Sequence, residues 1–137
     1  MKQINKITIV HEYDQDTDLS YLKQDYFNDD PTKGALVTQE ENQKYKAQDK
    51  ARLERYESGE LYDIGIYAIA EIIINETIQH IRSGGLWGVQ CDSEEGYFKE
   101  VESDELDNLK TQLKELGFKS RYINEMVKLA VHEGAPN

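Results

Sequence analysis

The 137-residue sequence has one cysteine, two prolines and one tryptophan. A single cysteine, Cys91, excludes an internal disulfide framework and fits a reducing cytoplasm, where the protein is expected to reside. No stretch reaches the roughly 18 apolar residues of a membrane-spanning helix, so no membrane association is expected. Met1-Lys2-Gln3-Ile4-Asn5-Lys6 leads into a short apolar run with no small-residue cleavage site, so no signal peptide is expected. Hydrophobic residues make up 38% of the chain, against about 45–50% in an average globular protein. The core must therefore be thin, and the nine tyrosines must help to build it. The length suits one domain, and a single α+β domain over residues 1–137 is the expectation.

Basic residues are also in deficit. Sixteen Lys and Arg face 27 Asp and Glu, for a formal net charge of −11. The excess is concentrated in two segments. Residues 12–30 carry Glu12, Asp14, Asp16, Asp18, Asp25, Asp29 and Asp30 against Lys23 alone. Residues 92–107 carry Asp92, Glu94, Glu95, Glu100, Glu102, Asp104, Glu105 and Asp107 against Lys99 alone. Blocks of one sign repel polyanions and attract cations or basic surfaces. Direct nucleic-acid binding is disfavoured, and a basic protein surface or a metal ion is favoured. Acidic surfaces also serve solubility alone.

Hydropathy patterning divides the chain. Residues 4–11 are rich in β-branched side chains and predict a first strand. Leu19, Tyr21, Leu22, Tyr26 and Phe27 suit a short amphipathic turn. Thr38-Gln39-Glu40-Glu41 has the form of a capping box, predicting a mostly solvated helix from Thr38 to about Glu57. Tyr62, Ile64, Ile66, Ala68, Ala70, Ile72 and Ile74 alternate with period two, and Asn75-Glu76 is a tight-turn signal, so residues 61–82 predict a central hairpin. Ser83-Gly84-Gly85 breaks the second strand, and Leu86-Trp87-Gly88-Val89 resumes it. Ser103 is placed to cap a helix with the stripe Leu106, Leu109, Leu113 and Leu116, ending at Gly117. Ser120 is placed to cap another, running to Gly134. The expected architecture is an antiparallel sheet of three to four strands with helices packed on one face.

Catalytic signals are weak. Ser83-Gly84-Gly85-Leu86-Trp87-Gly88 lacks the Lys-Ser/Thr of a phosphate-binding loop and leads into acids. Its glycines fit a tight bend, and Trp87 fits a core gap or a partner pocket. Cys91 could meet His80, but Asp92 and Glu94 beside it disfavour a thiolate. The expectation is a protein that is not an enzyme. Asp14, Asp16 and Asp18 place carboxylates at alternate positions, which could wrap a divalent cation. Leu19 at position six and Asp25 at position twelve depart from a calcium-binding helix–loop–helix, so the alternative is a solvated acidic loop. No other cofactor is expected.

Three stretches occur together: Asp14-x-Asp16-x-Asp18-x-Ser20-Tyr21-Leu22, Glu57-Ser58-Gly59-Glu60, and Ser83-Gly84-Gly85-Leu86-Trp87-Gly88-Val89-x-x-Asp92-Ser93. In this order, over roughly residues 12–118, the chain resembles small acidic proteins encoded on phages, plasmids and conjugative elements of Gram-positive bacteria. The resemblance implies an accessory role against host defence, of the anti-CRISPR or antirestriction type. The expected partner is a CRISPR effector or restriction nuclease, whose positively charged nucleic-acid channel the acidic segments would face. Trp87, Asp92, Glu94, Glu95, Glu100 and Glu102 are the candidate contacts. The alternatives are a cation-binding accessory protein, using Asp14, Asp16 and Asp18, and an oligomerising one that pairs as a homodimer.

Overall fold

Strand β2, Asp63–Ile74, organises the fold because most of its side chains are buried on both faces and its backbone is paired on both sides. The computed structural model describes residues 2–134. Their backbone divides into two compact units, one built from residues up to 15 and from 63 onward, the other from residues 16–62.

In the first unit β1, Lys2–Tyr13, runs antiparallel to β2 from Lys2 opposite Ile74 to Tyr13 opposite Ile64, with an irregularity between Ile4 and Lys6. On the other side of β2 lie two strands end to end. β3, Thr77–Arg82, pairs with Ile69–Ile74, and β4, Leu86–Gln90, pairs with the stretch from Asp63 to Ile66. Ser83 bridges the gap between them. Its N–H donates to the Ala68 carbonyl at 2.8 Å, and its hydroxyl accepts the Ala68 N–H at 2.9 Å. The side chain thus replaces a ladder bond where the chain leaves the strand. The β2–β3 turn puts Asn75 and Glu76 at φ +51° and +68°, the left-handed pair that a two-residue hairpin requires.

α2, Glu95–Glu115, and α3, Ser120–Lys128, cover one face of this sheet. Ala68, Ala70 and Ile72 of β2 meet Ile4 and Ile7 of β1, Leu109 and Leu113 of α2, and Phe118 and Ile123. The two alanines let α2 approach closely. Burying each of the larger aliphatic side chains contributes about 1.5–3 kcal/mol. The hydroxyl of Tyr122 on α3 accepts the Ile4 N–H at 2.9 Å, occupying part of the free edge of β1.

The α+β class and the mostly antiparallel sheet are as expected, and the structure corrects the ends of two helices. The sheet has five strands in the order β3-β2-β1-β5, with β4 also on β2. It is mixed because β5, Val131–Glu133, pairs parallel to Thr8–Val10. The last helix therefore stops at Lys128 instead of running to Gly134, since the β-branched Val131 and the unpaired backbone of β1 favour a strand there. The preceding helix starts at Glu95, with Glu94 as its N-cap, so Ser103 lies mid-helix. Buried Val101 and half-buried Phe98 extend its apolar stripe two turns earlier than the leucines alone indicated. Glu95, Glu100 and Glu102 are consequently helical residues.

The second unit is held largely by short polar contacts. The Asp18 carboxylate accepts the Ser20 N–H at 2.9 Å and opens a 3-10 turn, Ser20–Lys23, that buries Leu22. Asn28 and Val37 form an isolated bridge. The Asp30 carboxylate accepts from the Thr32 N–H and hydroxyl at 2.9 and 2.7 Å. α1, Gln39–Glu57, has the expected capping box between Thr38 and Glu41, and Asn42 is its one buried residue. Asn42 accepts the Tyr26 N–H at 2.8 Å, and the Tyr26 hydroxyl donates to Asp49 at 2.6 Å. Among the described residues no helix is long and apolar enough to cross a membrane.

Candidate interaction surface

Alternation along β2 puts Gly65, Tyr67 and Ile69 on the face opposite α2 and α3. Trp87 of β4 lies over Gly65, in space that a β-carbon there would occupy. Its ring is 6.2 Å from that of Tyr67, and the Arg82 guanidinium sits 3.8 Å over the other aromatic, Tyr67. Trp87 is nevertheless 42% exposed. The result is a fixed aromatic shelf, because the absent side chain of Gly65 lets a flat ring lie close to the backbone. Glu12, paired across from Gly65, flanks it.

The Asp14 carboxylate accepts the Gly88 N–H at 3.0 Å, and the Asp14 N–H donates to Asp63 at 3.0 Å. Gly88 has φ +75°, so this contact steadies a bend beside Trp87. Of the proposed cation ligands, Asp14 and Asp18 therefore already accept backbone N–H donors, and Asp16 is exposed. Hydrogen bonding from Ser20, through its N–H first, holds the Asp18 carboxyl below its ordinary value. Thr32, through its hydroxyl first, does the same for Asp30. Tyr26 is pushed up by its bond to Asp49. Among the described residues no group of three or more His, Cys, Asp and Glu side chains is placed to hold a metal ion.

The acids of residues 92–107 separate by role. Glu102 is only 14% exposed, with His11 Nε2 at 2.6 Å from one carboxylate oxygen and His132 Nε2 at 3.3 Å from the other. Glu105 accepts the Gly85 N–H at 2.6 Å. These two carboxylates point into the fold. Glu95 pairs with Lys99 at 3.4 Å and Asp107 with Lys110 at 3.7 Å. Asp92, Glu94, Glu100 and Asp104 are exposed. Glu100, Asp104 and Asp107 fall at i, i+4 and i+7, on one outer face of α2. Trp87 and this acidic ridge lie on opposite faces of the sheet, so the structure does not gather the proposed contacts into one patch.

The His11–Glu102–His132 cluster carries no local sequence signal. Its two histidines come from opposite ends of the chain and meet on Glu102 of α2 because β5 pairs with β1, placing His132 beside Ile9. His80 faces Glu71 at 3.5 Å. An open groove of about 320 Å³ between α2 and α3 is lined by Asp107, Lys110, Thr111, Lys114, Ser120, Ile123 and Asn124. Comparison of the chain with protein-family models, curated proteins and solved structures finds no match.

Proposed function

We propose that the protein is a binding module that inhibits a host defence nuclease, of the CRISPR-effector or restriction class, by occupying its basic nucleic-acid channel. The observation that supports this most is the exposed ridge of Glu100, Asp104 and Asp107 on α2, with Glu94 also exposed at the helix start. Along an α-helix these carboxylates stand about 6 Å and 4.5 Å apart in axial rise, of the same order as the roughly 3.4 Å rise between phosphates of one strand. The helix is rigidly seated by Leu109 and Leu113, both fully buried, so little conformational entropy is lost when the ridge docks. Trp87 belongs to a separate contact on the other face. No catalytic role is assigned. The cation reading has less support, because Asp14 and Asp18 already serve backbone donors.

The test is capture of the nuclease from a host lysate on the immobilised protein, followed by binding and cleavage assays with the purified pair. Binding should weaken as salt rises, and Glu94→Lys, Glu100→Lys and Asp104→Lys together should abolish it and restore cleavage while the fold survives. Salt-independent binding that the triple reversal leaves unchanged would sink the electrostatic reading.

A further inference from the structure

The outer edge of the sheet at β3 carries an inference independent of the functional reading above. β3 stands at the end of the strand order and pairs only with β2 among the described strands. Exposed sheet edges are usually protected by proline, lysine or a bulge, because their unpaired N–H and C=O groups template another strand. Thr77-Ile78-Gln79-His80-Ile81-Arg82 has no lysine or proline, and its pairing with β2 runs without a register shift. Residues 77–80 are exposed, Ile78 at 60%.

The hairpin decides which groups are available. In a two-residue hairpin the residues flanking the turn, here Ile74 and Thr77, exchange both ladder bonds. Thr77, Gln79 and Ile81 therefore bond to β2, and Ile78, His80 and Arg82 present their backbone outward. The Ser83 N–H on Ala68 keeps the same alternation. At the far end the Arg82 carbonyl already accepts the Gln112 side chain of α2 at 3.0 Å. Among the described residues, the outward backbone groups of β3 with no partner strand or side chain are those of Ile78 and His80.

We propose that the protein forms a two-fold homodimer by antiparallel pairing of β3 with β3 of a second copy, centred on Gln79. A two-fold axis requires a self-complementary edge, and this register supplies one. Each Ile78 exchanges backbone hydrogen bonds with His80 of the other copy, so both open residues are used. The register also brings the turn residue Glu76 to the end of β3 where Arg82 of the other copy lies, opposite charges on a chain whose net charge of −11 otherwise opposes self-association. A register centred on His80 would instead pair Ile78 with Arg82, whose carbonyl Gln112 occupies. The exposed Ile78 would be covered, and the two sheets would become continuous.

Sedimentation of the intact protein over a dilution series tests the dimer, and engineered cysteines test its register. The expected result is a twofold rise from the chain mass of 15.9 kDa with concentration. His80→Pro, which removes an outward N–H and spares the ladder to β2, should hold the mass at 15.9 kDa, and Ile78→Lys should do the same. A central non-hydrogen-bonded pair has Cα atoms about 4.5 Å apart, inside the disulfide range. Gln79→Cys in a Cys91→Ser background should therefore oxidise to a covalent dimer, faster than Thr77→Cys or Ile81→Cys. A wild-type chain that stays monomeric throughout, or oxidation no faster at 79 than at 77 and 81, would overturn the proposal.

Discussion

Trp87 occupies the space that a side chain on Gly65 would need: a β-carbon there would overlap Cε3 of the indole. Gly65→Ala should displace the ring and cost about 1–3 kcal/mol, the usual range for overpacking. Trp87 is the sole tryptophan, so emission reports its position directly. A red shift with a lower denaturation midpoint is expected; an unchanged spectrum and midpoint would show that the ring does not rest on Gly65.

The central strand should dominate stability. Ile66 and Ile72 are both fully buried, and Ile→Ala at either position should cost on the order of 2–5 kcal/mol. The same change at Ile78, 60% exposed, should stay within about 0.5 kcal/mol in the monomer. Denaturant melts at low protein concentration make the comparison, and equal losses at all three positions would contradict the assigned core.

Glu102 serves the fold by holding His11 and His132. Glu102→Ala should leave polar groups of His11 unpaired at a partly buried position and cost about 1–3 kcal/mol. Amide exchange in Val131–Glu133 should accelerate, because this carboxylate ties His132 of β5 to α2. Stability within about 0.5 kcal/mol of wild type and unaltered exchange in β5 would show that the cluster holds nothing.

Acid should loosen the turns that begin at Ser20 and Pro31. Asp18 and Asp30 have carboxyls held below their ordinary value by Ser20 and Thr32. A depressed folded pKa contributes stability above the unfolded value, about 3.9 for aspartate. That contribution is lost as pH falls through the lower folded value. Exchange protection at the Ser20 and Thr32 amides should therefore drop below about pH 4. Asp18→Asn with Asp30→Asn should remove this step, and a step that survives in the double variant would assign it to other carboxylates.

Local chemistry determined a good part of this architecture from sequence. The period-two run from Tyr62 to Ile74, the Asn75-Glu76 turn and the Thr38–Glu41 capping box depend on neighbours a few residues away. The structure has the hairpin and the capped α1 in those places. The start of α2 was not legible from Ser103, because a serine within a helix and a serine at its cap look alike until the packing of Phe98 and Val101 is known. β5 was hidden for a related reason. Val131–Glu133 is too short to declare itself, and it becomes a strand only because β1 has backbone groups to pair.

The acids show the division most plainly. Sequence alone determined that residues 92–107 carry a strong negative charge, since charge is a property of composition. Packing turns Glu102 and Glu105 inward to His11, His132 and the Gly85 N–H and leaves Glu94, Glu100 and Asp104 in solvent. It also puts Trp87 on the opposite face of the sheet from these carboxylates. The strand alternation that aims Trp87 is a two-residue period, and the helix that aims the acids turns every 3.6. Residues close in sequence across that change of period need not share a surface.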